Sequence, residues 1–286
     1  MSFYNGTVTG LSKIATGTPS AFCRAVLSGE FSVNPHNIRK KGAGAQLHVR
    51  KGTSEIRLTA TVVGLDKTDL AKFFPTTSGV QVASFPGFLV EVDDGATGRE
   101  FVCISGQPGN ITVSLPEGED SEVEYQVEML FAACSGYAAG TYIPVYNSYK
   151  GHTINDATVT ISGVSENVMS FELSNDLGAS LRNPLNGKTA GAKTFAAAAI
   201  VQGNDPALSF VTADEYGVEN LFADDHTPVD IVLALANGTS AENITITLDD
   251  FVPESFNMPV TGEEFEGFSH EFRPGDGVTY NRVQVA

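Results

Sequence analysis

Apolar and polar residues alternate along much of this chain with a period of two. Glu122-Val-Glu-Tyr-Gln-Val-Glu-Met-Leu130 and Ala157-Thr-Val-Thr-Ile161 put every second side chain on one face of an extended backbone, so each reads as a half-buried β-strand. Turn residues recur every eight to twelve positions between such runs. Helical spacing is confined to two short stretches. In Asp66-Lys-Thr-Asp-Leu-Ala-Lys-Phe-Phe-Pro75, Asp66 is an N-cap, Leu70, Phe73 and Phe74 form the apolar stripe, and the proline is a stop. In residues 212–222, Thr212 and Glu215 fit a capping box, with Val218, Leu221 and Phe222 on the buried side. The predicted class is mainly β: two tandem homologous β-sandwich or half-barrel units, each with one short α-helix.

The tandem reading rests on a repeat. Asn110-Ile-Thr-Val-Ser-Leu115 and Asn243-Ile-Thr-Ile-Thr-Leu248 are nearly the same strand, about half a chain apart. Phe101-Val-Cys-Ile-Ser-Gly-Gln-Pro-Gly109 precedes the first and Val232-Leu-Ala-Leu-Ala-Asn-Gly238 the second, each an apolar run ending in turn residues, which predicts two hairpins. Each helix follows a strand (55–63 and 194–202), and each of those follows a polar, Gly-rich segment (34–44 and 175–191) expected as a long loop. The order strand, loop, strand, helix, strands occurs twice, at an offset of roughly 130 to 150 residues. The predicted division is a first unit over 1–140, a linker over 141–152 and a second unit over 153–286. A tyrosine-rich stretch, 137–149, is expected to cross a surface there.

Charge adds a second asymmetry. The chain of 286 residues has a formal net charge of −17 and a sequence pI near 4.5, which argues against gripping nucleic acid. Residues 1–140 hold 11 basic and 14 acidic side chains, residues 141–286 only 6 and 20. Basic residues gather in two windows: Arg39, Lys40, Lys41, Arg50, Lys51 and Arg57, then Arg182, Lys188 and Lys193. No run of eighteen apolar residues occurs and the first ten residues lack a basic start and apolar block, so neither membrane insertion nor secretion is expected. The three cysteines, Cys23, Cys103 and Cys134, then read as buried reduced thiols, and Cys134 has no neighbour in sequence to lower its pKa.

Catalytic signatures are missing. Gly187-Lys188-Thr189 resembles the end of a phosphate loop, but Arg182 occupies the position that needs glycine. No H-E-x-x-H, G-x-S-x-G or G-x-G-x-x-G occurs, and the acidic turns at Asp93-Asp94-Gly95 and Asp224-Asp225-His226 lack calcium-loop spacing. Glu263, Glu264 and Glu266 read as acidic surface, since no tryptophan offers a sugar platform. The expectation is no enzyme, no metal and no cofactor.

Across nearly its whole length the order of elements resembles that of the tail tube proteins (major tail proteins) of bacteriophages with long non-contractile tails, the type with two fused tube domains. The resemblance implies a structural virion protein whose trimers form pseudo-hexameric rings, with one sheet from each domain joined into a barrel around a lumen. Stacked rings then form the conduit for DNA ejection, assembled in the host cytoplasm and resident in the tail. Its partners are its own copies and other tail proteins (tape measure, terminator, distal tail); DNA passes without specific binding, and no membrane is involved. An acidic lumen suits that task, and Glu91, Glu122, Glu124, Glu128 and Asp249 are the expected lining. Arg39, Lys40, Lys41 and Arg50, with Arg182, Lys188 and Lys193, are expected to contact the acidic surface of an adjacent ring or subunit. The alternatives are another β-sandwich virion component, such as a capsid decoration or tail terminator, and a tandem β-sandwich adhesin.

Overall fold

The computed structural model describes residues 4–15, 17–41, 47–75, 85–93, 95, 98–116, 121–182, 198–200, 204–212, 227–257, 260–261, 264–265, 267–275 and 282–286. Side chains are described for these except 34–41, 47–55, 180–182, 198–200, 256–257, 260–261 and 264–265. The fold is mainly β around a β-barrel core.

The strands before residue 140 are β1 (Tyr4–Ala15), β2 (Thr18–Ser20), β3 (Ala25–Lys41), β4 (Leu47–Val63), β5 (Phe85–Asp93), β6 (Gly98–Leu115) and β7 (Glu124–Ala138). Six of them close on themselves. β1 pairs β3, β3 pairs β4, β4 pairs β7, β7 pairs β6, β6 pairs β5, and β5 returns to β1, all antiparallel. A barrel of so few strands has room inside only for side chains. Here they are aromatic: Phe22, Phe85, Phe88 and Phe131 are fully buried and meet edge to face at centroid distances of 4.9 to 5.8 Å. The barrel is a packed core with no channel of its own.

Two expected turns are strand instead. Residues 34–41, expected as loop, continue the β3–β4 ladder out to Lys41 opposite Leu47, an arm running past the last β1 partner, Val33. The Gly-Gln-Pro-Gly at 106–109, expected to reverse the chain, lies inside β6. There it bends the strand: Ser105 takes a φ of 54° and the ladder to β7 shifts register between Pro108 and Ile111. A bulge tolerates proline's lack of an N–H, because the ladder is interrupted there.

The remaining strands are β8 (Ala157–Ile161), β9 (Val164–Glu166), β10 (Val168–Asp176), β11 (Ser180–Arg182), β12 (Ala198–Ile200), β13 (Asp205–Thr212), β14 (Val229–Leu235), β15 (Ile244–Asn257), β16 (Val260–Thr261), β17 (Glu264–Phe265), β18 (Phe268–Pro274) and β19 (Val283–Val285). β8 pairs β14, β14 pairs β15, β15 pairs β18, β18 pairs β13, and β13 pairs β10. With β8 set against β1, β10 against β3, β13 against β4, β14 against β5, β15 against β6 and β18 against β7, these are five of the six barrel ladders. In place of the sixth, β10 pairs β6, so one sheet runs from the first half into the second.

The strand pair that suggested the repeat does not occupy matching places. Asn110–Leu115 is the second half of β6, between β7 and β10, whereas Ile244–Leu248 opens β15, between β14 and β19. Of the two helices, the first is shorter than its pattern: α1 (Lys67–Leu70) gives way to a 3-10 turn over Ala71–Phe73. Asp66 caps it by accepting from the Thr68 amide at 2.8 Å, and Leu70 and Phe73 are buried as the spacing requires. The helix expected over 212–222 lies outside the described residues beyond Thr212, which ends β13.

Residues 139–153 form an extended strap tied to both halves. Ser12 Oγ accepts from the Val145 amide at 2.7 Å, and Asn147 Nδ2 donates to the Gly64 carbonyl at 2.7 Å. Arg24 donates to the Lys150 carbonyl at 2.8 Å and pairs with Glu122, while Glu242 accepts from the Lys150 amide at 2.9 Å. One apolar cluster, from Phe31 and Val127 to Phe210 and Ile246, lies beneath both halves.

Candidate functional surface

The sheet that crosses from β7 and β6 into β10, β13 and β18 has two unlike faces. Tyr125, Val127, Ile111, Val113, Phe171, Leu173, Leu208, Phe210 and Phe272 point into the core and are almost fully buried. The alternate residues, facing out, are mostly polar or acidic, with Ala207 and Val211 on β13 and Arg273 on β18 as exceptions. Register aligns them in a row: Glu124 stands opposite Ser114, Ser114 opposite Glu172, Glu172 opposite Ser209, Ser209 opposite Glu271, and Glu271 opposite Ser255. The row spans six strands and crosses the junction between the halves without a break.

Its order has a physical reason. Like charges directly opposed across a ladder destabilise it, and a serine between two glutamates sets them two strand spacings apart, about 9.6 Å. That exceeds the screening distance of about 8 Å at physiological salt, so the row is acidic at little cost to the fold. Ser255 Oγ also donates to Glu271 at 2.9 Å.

A second row runs beside it. Asn110 lies opposite Asp176 and Asp176 opposite Asp205, with Asn110 Nδ2 donating to Glu128 at 3.3 Å. Arg273 bridges Asp205 and Glu254, at 2.9 Å to each, and Arg57 sits 2.9 Å from Glu128. Seven carboxylates (Glu124, Glu128, Glu172, Asp176, Asp205, Glu254 and Glu271) thus share the face with Arg57 and Arg273. A shallow groove lined by Asn110, Thr112, Ser174, Asp176, Asp205 and Arg273 follows the β6–β10 seam.

Of the residues expected to line an acidic wall, Glu124 and Glu128 are on this face. The other three lie elsewhere. Glu122 pairs with Arg24 under the strap. Glu91, whose pKa is raised by burial and then by nearby Glu100, packs close to Gly10 on β1. Asp249 accepts from Gln284 Nε2 on β19 at 2.8 Å, beyond the bend in β15 at Asp250. Glu172, Asp176, Asp205 and Glu271 escaped the sequence reading. The alternation Phe171-Glu-Leu-Ser-Asn-Asp176 marks the outward residues of β10, but only the ladder shows that they continue the face of β7.

The basic clusters fall on different elements. Arg39, Lys40, Lys41 and Arg50 belong by backbone to the β3–β4 arm, and Arg182 to β11, with side chains outside the described set. Lys188 and Lys193 lie outside the described residues altogether. Among the described residues no group of three or more His, Cys, Asp or Glu could hold a metal ion, and no helix is long and apolar enough to cross a membrane.

No protein-family model matches the chain, and no curated protein matches it.

Proposed function

We propose that this chain is a structural subunit of a hollow assembly, a two-unit tail tube protein whose copies close into rings around a lumen and stack. One observation carries the reading: the Glu–Ser row passes from the first half to the second on a single continuous sheet. A sheet with one apolar and one polar face normally turns the polar face to solvent. Here that face is polar, acidic and concave along the seam, as the wall of a water-filled passage for DNA requires. Repulsion of phosphate keeps a nucleic acid from sticking, and screening confines the effect to the last few ångströms.

The halves are read as two copies of one unit, supported by the five recurring ladders. In this account the β6–β10 ladder is the joint between neighbouring units, and a like joint between chains brings β15 of one copy to the part of β3 beyond Val33 in the next, which among the described residues pairs β4 alone. Among the described residues, β15 beyond Phe251 pairs β18 on one side and no strand on the other. Such an edge invites pairing with another chain. Three chains supply six units, and a closed ring leaves no edge exposed. The β3–β4 arm, rich in Arg and Lys, contacts the acidic surface of the adjacent ring.

The test is electron microscopy of the purified protein with rising concentration and salt. Rings or hollow tubes support the proposal. A monomer under all conditions, including those with tail-tip complexes added as a template, refutes it.

A further inference from the structure

Two thiols face each other away from the acidic surface. Cys103 on β6 and Cys134 on β7 are directly opposed in the ladder, neither of them in a disulfide, the first wholly buried and the second 5% exposed. The sequence reading expected no partner for Cys134; the ladder supplies one. Opposed residues of an antiparallel pair have Cα atoms about 4.5 or 5.5 Å apart, and a disulfide takes Cα separations of about 4.4 to 6.8 Å. Whichever kind of pair this is, no strand has to slide for the sulfurs to bond.

The pair is also chemically unequal. Burial pushes the Cys103 thiol well above its ordinary range, so it keeps its proton. Cys134 accepts a hydrogen bond from Cys103, which holds its pKa down, and it lies where β7 leaves the barrel, with Ser135 to Ala138 exposed beyond it. Cys23 sits apart on the segment before β3, fully buried and pushed up to about 12 by that burial.

We propose that Cys103 and Cys134 are an oxidation site, a dithiol that hydrogen peroxide closes to a cross-strand disulfide between β6 and β7. The Cys134 thiolate attacks one peroxide oxygen and takes it as a sulfenic acid, while the other oxygen leaves as hydroxide and is protonated to water. Cys103 sulfur then attacks Cys134 sulfur, the S–S bond forms, and the sulfenic oxygen departs with the Cys103 proton as a second water. Two thiols are oxidised and one peroxide is reduced to two waters. The bond staples the strand that carries both the barrel wall and the seam to β10.

The experiment uses the intact chain. Protein treated with hydrogen peroxide is alkylated with iodoacetamide under denaturing conditions, digested, and mapped by mass spectrometry. The expected product is a peptide pair joining Cys103 to Cys134, about 2 Da below the sum of the free peptides. It is absent after dithiothreitol, and Cys23 is alkylated throughout. In Cys103→Ala, checked for folding by circular dichroism, the same dose leaves Cys134 alkylated or oxygenated and never linked. Methionine oxidation in the same digest reports the dose. Alkylation of both Cys103 and Cys134 after the methionines have oxidised, or a link to Cys23 instead, overturns the proposal.

Discussion

Asn175, buried on β10, donates its side-chain amide to the backbone carbonyl of Phe73 at 2.7 Å, joining the end of the first half's helical segment to the second half's sheet. The same amide group donates to Asn204 Oδ1 at 2.8 Å. Both bonds are made where water does not reach, so their loss is felt in full.

Asn175→Leu is expected to cost about 2 kcal/mol, the penalty for leaving buried acceptors without their donor. Urea denaturation reads this as a lower midpoint with an unchanged slope. A split into two transitions would show that this bond is what couples the halves.

Gly151 holds the strap in a conformation that only glycine accepts easily. Its φ is +81°, and a Cβ there would meet the Glu122 carboxyl that pairs with Arg24. Gly151→Ala is expected to lose about 2 kcal/mol, from the backbone and the displaced ion pair together. Gly163→Ala, at φ +84° with nothing within 4 Å, carries only the backbone part, about 1 kcal/mol. The difference in melting temperature between the two variants isolates the Glu122 contact.

His270 gives the fold an acid-sensitive step. Its ring stacks on Phe210 at 5.0 Å, contacts Thr212 Oγ1 at 3.1 Å, and burial lowers its pKa from 6.5 to about 4. The unfolded chain takes up this proton more readily than the folded one. The stability due to neutral His270 is therefore complete above about pH 6.5 and is lost as pH falls towards 4. The loss is of order 3 kcal/mol, and His152, also lowered by burial, adds in the same direction. Denaturation curves between pH 7 and 4 should show this slope, and His270→Phe should flatten it.

Much of this was legible in the sequence, and the limits are physical. Period-two alternation marks strands because it reflects burial, and the inward set on β7, Tyr125, Val127 and Met129, is the one it predicts. Asp66 as a cap was equally legible, since its side chain acts two residues away. Turn chemistry misled where tertiary pairing overrode it: Pro108 and Gly109 continue a strand because β7 holds it, and 34–41 continue β3 because β4 runs alongside. The acidic face was half visible. Glu124 and Glu128 alternate with apolar neighbours in one strand, but their company, Glu172 and Glu271, is set by the ladders that pair Ser114 with Glu172 and Ser209 with Glu271, residues far apart in sequence.

Charge on the row should matter to assembly and not to folding. Replacing Glu124, Glu172 and Glu271 with Gln leaves the monomer within about 0.5 kcal/mol, as outward, separated positions allow. Closing a ring gathers these carboxylates, so the variant should assemble at lower salt than the parent chain, measured by light scattering across a salt series.

The β3–β4 arm makes the complementary prediction. Neutralising Arg39, Lys40 and Lys41 together is expected to leave circular dichroism and melting unchanged while abolishing tubes in electron micrographs. Unaltered tubes would remove the arm from the stacking contact.

The central claim is that the Glu–Ser row faces a lumen. A cryo-electron microscopy reconstruction of the assembled particle tests it most directly. The account predicts a hollow ring with Glu172 and Glu271 on the inner wall and the β6–β10 ladder repeated between chains as β15 against β3. An assembly with that row on its outer surface, or one without a central hole, contradicts it.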